Sequence, residues 1–140
     1  MPEARPVRFE CVFPVHSADI DVLGHVNNAV YMRWVQEVAA AHWRAAASAE
    51  LQADVVWVVL RHEIDYKRPA MPGDRVIART WVGQATGTRF ERHTEIVRAA
   101  PDREVLAVAR SVWCPLNAGT GRPERIGPSL HDCFYERPSA

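Results

Sequence analysis

Six residues in one short stretch carry side chains or backbone geometry suited to chemistry on a carbonyl: Asp19, Asp21, Gly24, His25, Asn27 and Asn28. Glycine at 24 lets the chain fold back tightly. The residues after it read as a helix whose first N–H groups lack acceptors inside the helix, so they can stabilise an anionic oxygen. A carboxylate at Asp21 across the same small space would supply a base or nucleophile. Together the two groups are what acyl hydrolysis needs. The same residue types also build ordinary loops. Asp21 can accept local backbone bonds, Asp19 can belong to the strand end, and Asn27 and Asn28 can serve as helix caps. His25 has a reference pKa near 6.5, which fits acid–base chemistry, a substrate contact or an internally bonded turn.

The elements that must position these groups are legible in the spacing. Phe9, Cys11 and Phe13 alternate with Arg8, Glu10 and Val12, a period of two that predicts a strand near residues 8–15, with Pro14 at an edge or bulge. Tyr31, Trp34, Val35, Val38, His42 and Ala45 recur at helical spacing, opposite Arg33, Gln36, Glu37, Ala40 and Arg44. Residues 28–45 therefore read as a rod about 27 Å long. Val55 to Leu60 form an apolar run that calls for cover on both faces; Ile64 and Tyr66 then share one side of an alternating continuation. The prolines and glycine of residues 69–74 make a turn. Further strands are expected at 75–83, 89–98 and 104–114, with a hairpin at 99–103. From Asn117 onward the glycines and prolines read as an irregular, mobile tail.

One good helix and a run of strands point to an α+β domain with an antiparallel sheet rather than a doubly wound one. At 140 residues the chain is the size of one domain. Seventeen basic and 17 acidic residues give a formal net charge of zero, so bulk electrostatics supplies no reason for a nucleic-acid or acidic-membrane partner. No apolar run approaches the roughly 20 residues that span a bilayer. MPEARPVRFE does not read as a secretory signal. Cys11, Cys114 and Cys133 are too few and too scattered for a structural zinc cluster, and an odd number argues against a disulfide framework. The expectation is a reduced cytoplasmic protein with no metal and no cofactor.

The stretch DIDVLGHVNNAVYMRWVQEVA resembles the N-terminal motif of hot-dog-fold acyl-CoA thioesterases of the 4-hydroxybenzoyl-CoA thioesterase family. IDYKRPAMPGDRV, VGQATGTRFERHTEI and VLAVARSVWCPLN continue that family's order of elements, and the resemblance covers nearly all of residues 8–126. It implies a hot-dog fold, an antiparallel sheet wrapped around one long helix, with tails at 1–7 and 127–140. It places the acidic catalytic position at Asp21 and the carbonyl-polarising amide near Asn28. Other branches use an acid within the helix, which makes Glu37 a second choice. His25 stands as a third catalytic candidate. Gly24, Asn27 and Tyr31 are candidate substrate contacts, while Lys67, Arg68, Arg89 and Arg92 are candidates for CoA phosphates. The His25-Asn27-Asn28 wording departs from the more aromatic turn of the 4-hydroxybenzoyl branch, so a general acyl-CoA thioesterase is implied rather than that specificity. CoA would enter only as part of the substrate. The resemblance also implies self-association to a dimer or tetramer. Two other readings share the fold: an enoyl-thioester hydratase or dehydratase, and a noncatalytic acyl-thioester binding protein.

Overall fold

The computed structural model describes residues 4–137; the outermost parts of both expected tails lie outside them. Five strands form one antiparallel sheet in the order β1-β3-β4-β5-β2. They are β1 (Phe9–Pro14), β2 (Val55–Tyr66), β3 (Arg75–Thr86), β4 (Arg89–Arg98) and β5 (Val105–Asn117). Between β1 and β2 runs the long helix α1 (Asn28–Ala46), followed by a short α2 (Ala49–Asp54). This is the antiparallel α+β domain that the strand and helix periods imply, with the one long helix against the sheet that the resemblance to hot-dog proteins implies.

Helix α1 starts where an amide side chain can cap it. Asn27 has extended backbone angles, and its Oδ1 accepts the Ala29 N–H at 2.9 Å. At the other end Ala47 leaves the helical conformation, and Ser48 caps α2 by accepting the Leu51 N–H. The buried stripe of α1 holds Val30, Tyr31, Trp34, Val35, Val38, Ala39 and His42. Ala45, expected on that stripe, is exposed; in the last turns Trp43 and Ala46 instead pack against Val82, Phe90 and Phe134. The stripe packs on Val76, Ala78, Ile96, Leu106, Ala107 and Ala109 of the sheet, with Phe9, Cys11 and Phe13 alongside. Alanines at 78, 107 and 109 let the helix approach closely, and each large side chain buried there contributes roughly 1.5–3 kcal/mol.

The opposite sheet face is polar. Arg110 pairs with Glu91 and Glu63, and Arg79 with Glu10, while Arg8 lies over the Trp81 ring. Pro14 ends an edge strand, where its missing donor costs no ladder bond. Strand β2 forms the other edge, with Val56 and Leu60 half exposed. The apolar run is therefore covered on one face and open on the other in the isolated chain.

The tail expected to be mobile is instead partly built in. Pro128–Asp132 form α3, Leu130 and Phe134 are buried, and Phe134 joins Val82 and Phe90 in a second apolar cluster. Isolated bridges tie Leu116 to Pro123 and Pro6 to Tyr135. The glycines and prolines that suggested irregularity do shape the backbone. The apolar residues between them have a core to reach, and that settles their order.

Candidate active site

The chain leaves β1 through a 3-10 turn at Ser17–Asp19 and re-enters regular structure at α1. Two carboxylates sit on this connection and have different surroundings. Asp19 is buried; its Oδ2 accepts the His16 N–H at 2.9 Å, its Oδ1 accepts from Arg33 Nη2 at 3.2 Å, and its carbonyl accepts the Asn27 N–H. It ties the loop to the helix and has no oxygen to spare for a ligand. Asp21 is half-buried and holds only one side-chain bond, from the Leu23 N–H to Oδ1 at 2.9 Å. Its Oδ2 has no protein partner among the described residues.

Backbone bonds shape the tip of the loop. Asp21 N–H donates to the His25 carbonyl at 2.8 Å, and Gly24 N–H donates to the Asp21 carbonyl at 3.0 Å. Gly24 sits at φ +80°, a left-handed conformation that residues with a Cβ rarely adopt. Ile20 and Val26 bridge beneath the tip, and Val26 N–H reaches the Ala70 carbonyl. Ala70 N–H in turn donates to the Tyr31 hydroxyl at 2.8 Å, so the turn after β2 is bolted to the first turn of α1. Burial raises the Tyr31 pKa above its ordinary value, and the hydroxyl stays protonated at neutral pH. Arg98 secures the same turn from below by donating to Asp74 Oδ2 and to the Pro69 carbonyl.

This scaffold encloses a cleft of about 390 Å³. Asp21, His25, Asn27, Asn28, Tyr31, Lys67 and Arg68 all line it. Gly24 shapes the loop without lining the cleft. The Asn28 N–H, at the first helical position, has no protein acceptor among the described residues, and the aligned peptide dipoles of α1 end there. Asp21, with an unpaired carboxylate oxygen, and Asn28, with an unpaired N–H at the helix N-terminus, thus line one cavity; groups of these two types can activate a nucleophile and polarise a carbonyl.

The four basic candidates do not gather. Lys67 and Arg68 stand on the rim, Arg68 paired with Glu104 at 3.0 Å. Arg89 lies at the far end of the sheet. Lys67 bonds to β5 at Leu106, whereas Phe90, next to Arg89, lies opposite Trp113, about 24 Å along the strand. Arg92 is buried beneath α1, bonded to His42 and Thr80. Glu37 is on the exposed side of α1, paired with Arg33 and outside the cleft lining. Tyr66 and Pro69 also line the cleft, and Tyr66 donates to the Asn28 carbonyl at 3.3 Å. Its shared parity with Ile64 was the available signal for that placement. Among the described residues no cluster of three His, Cys, Asp or Glu could hold a metal ion, and no helix is long and apolar enough to cross a membrane.

Residues 15–134 match the thioesterase-like superfamily. The chain belongs to that superfamily. A chloroplastic palmitoyl-acyl carrier protein thioesterase of Gossypium hirsutum is 30% identical over 123 residues, covering 81% of this chain and 30% of that protein. The chain thus spans about a third of the length of such acyl carrier protein relatives. A 1,4-dihydroxy-2-naphthoyl-CoA hydrolase of Rippkaea orientalis is 27% identical over 120 residues, 83% of this chain and 87% of that one. Among solved structures, a Thermus thermophilus thioesterase crystallised with coenzyme A and zinc superposes with a TM-score of 0.77 at 23% identity. It covers 90% of this chain and 96% of its own. At 23% identity this is a likeness of fold.

Proposed function

We propose that this superfamily member hydrolyses an acyl-CoA thioester to the free acid and CoA. The observation that carries the reading is the shared cleft: Asp21 and the unpaired Asn28 N–H line one cavity. The thioester carbonyl oxygen accepts from the Asn28 N–H, and negative charge on the tetrahedral intermediate is stabilised there. Asp21, through its free oxygen, either activates a water or attacks to form a mixed anhydride that water opens. The thiolate of CoA departs readily, so no serine triad is needed. His25 and Asn27 flank the reacting carbonyl, Tyr31 forms a wall, Gly24 sets the turn that carries Asp21, and Lys67 with Arg68 meets CoA phosphate at the rim. CoA as carrier is favoured by the Rippkaea relative, which this chain matches over nearly its whole length.

Thiol release over a panel of short, long and aromatic acyl-CoA thioesters tests the reading. On the best substrate, Asp21→Asn lowers kcat at least 100-fold with an unchanged far-UV spectrum; near-wild-type turnover would sink the assignment. A pantetheine thioester lacking the phosphates binds more weakly than intact CoA. Equal affinity removes the role of Lys67 and Arg68.

A further inference from the structure

Under the C-terminal half of α1 lies a second cavity, of about 320 Å³. Its helix residues, Ala39 to Trp43, stand about 17–22 Å along the helix from Asn28, at 1.5 Å per residue. Trp43, Trp57, Phe90, Trp113 and Phe134 give it apolar walls, and Arg92 of β4 is among the lining residues. Arg92 is only 5% exposed. Its Nη1 donates to His42 Nδ1 at 2.9 Å and to Thr80 Oγ1 at 3.1 Å, and its guanidinium carbon lies 5.1 Å from the Phe134 ring centre. Among the described residues no carboxylate pairs with it, and its Nε and Nη2 hydrogens meet no protein acceptor. Burial lowers its pKa to about 10, which leaves it charged at neutral pH. A buried charge without a counter-ion is costly in a folded protein.

The other unmatched groups nearby have the same polarity. Arg92 can only donate, so His42 Nδ1 must accept and the ring hydrogen sits on Nε2. That Nε2 is buried with no acceptor, as are the indole N–H groups of Trp57 and Trp113. The unmatched groups in and around these apolar walls are donors, one of them cationic, and the one carboxylate among the lining residues, Glu91, is already paired with Arg110. The complement is an acceptor-rich anion on an apolar body.

We infer that this cavity binds a small apolar carboxylate, its two oxygens on the Nε–Nη2 edge of Arg92. That edge presents two parallel N–H groups, the geometry that a carboxylate accepts in bidentate fashion. Two sources share this chemistry: the free acid that thioester hydrolysis releases, and the distal carboxylate of a dicarboxylic acyl group. The link to either rests on the hydrolase reading; the binding itself does not.

Octanoate and octanamide, titrated into the intact protein, separate charge recognition from apolar fit. Octanoate is expected to bind at least tenfold more tightly and to shift the indole N–H resonances of Trp57 and Trp113. Trp81, on the opposite sheet face, stays in place. Arg92→Met abolishes the preference and Arg92→Lys restores part of it. If Arg92→Met does not fold, the wild-type comparison decides alone: equal affinity for acid and amide overturns the inference. Kinetics then separate the sources. A KM at least tenfold lower for the CoA monothioester of hexadecanedioic acid, whose extended chain is long enough to run from Asn28 to Arg92, than for hexadecanoyl-CoA assigns the carboxylate to the acyl end. Inhibition by octanoate without that difference assigns it to the released acid. A protein that prefers octanoate to octanamide yet releases no thiol from any thioester sinks the hydrolase reading and leaves the cavity standing. Thiol release without acid preference does the reverse.

Discussion

Asp19 and Asp21 are two residues apart and end in opposite circumstances. Asp19 is saturated by His16, Arg33 and burial, whereas Asp21 keeps an oxygen free on an open cleft. Alternation along the chain does not separate them, because both are acids on the same connection; hydrogen-bond accounting does. His42 shows the same dependence on surroundings. Burial, assisted by the Arg92 charge, holds its pKa at about 3. Its folded value lies below the unfolded value near 6.5, so the unfolded chain takes up the extra proton as pH falls. The stability from neutral His42 is complete above pH 6.5 and is lost on acidification at roughly 1.4 kcal/mol per pH unit, levelling off near pH 3. Urea unfolding at pH 7, 6 and 5 is expected to show this slope in the wild type and a shallower one in His42→Gln. Equal slopes would remove His42 as the cause.

The loop at 20–26 and the first turn of α1 act as one element. Its form depends on Gly24 at φ +80°, where a Cβ would meet nothing within 4 Å. Gly24→Ala therefore costs backbone strain rather than a clash, roughly 1 kcal/mol. The larger consequence is expected in catalysis, since relief of the strain re-aims Asp21 relative to the Asn28 N–H. A small fall in the urea midpoint with a tenfold or greater fall in thiol release is the expected result; unchanged release would show that the loop tolerates the shift. The bolt from Ala70 to Tyr31 and Val26 ties the β2–β3 turn to the proposed site, whose acid would lie on another connection.

On the scale of the whole molecule, β2 is a 12-residue edge strand. Unpaired edges of that length invite a partner, and Val56 and Leu60 add apolar surface beside it. We expect at least a dimer through this edge. Sedimentation at assay concentration checks it, and Val56→Lys with Leu60→Lys is expected to shift the protein toward monomer. A wild-type protein that sediments only as monomer refutes the expectation.

Local pattern alone determined the long helix and the Asn27-Asn28 pair that starts it, the strand periods, and the stretch from Asp19 to Tyr31 that carries the family resemblance. Each depends on neighbours within one or two turns of chain. Tertiary structure decided the rest. Arg92 shares strand parity with Phe90, Thr94 and Ile96 and so belongs on their face of β4, but parity does not say how far along the sheet from Lys67 it stands; strand register set that separation. Composition made residues after Asn117 read as a loose tail, yet Phe134 had a pocket waiting beneath α1. Burial and long-range pairing are properties of the assembled chain, so an arginine suited by type to phosphate became a lone charge against an apolar cavity.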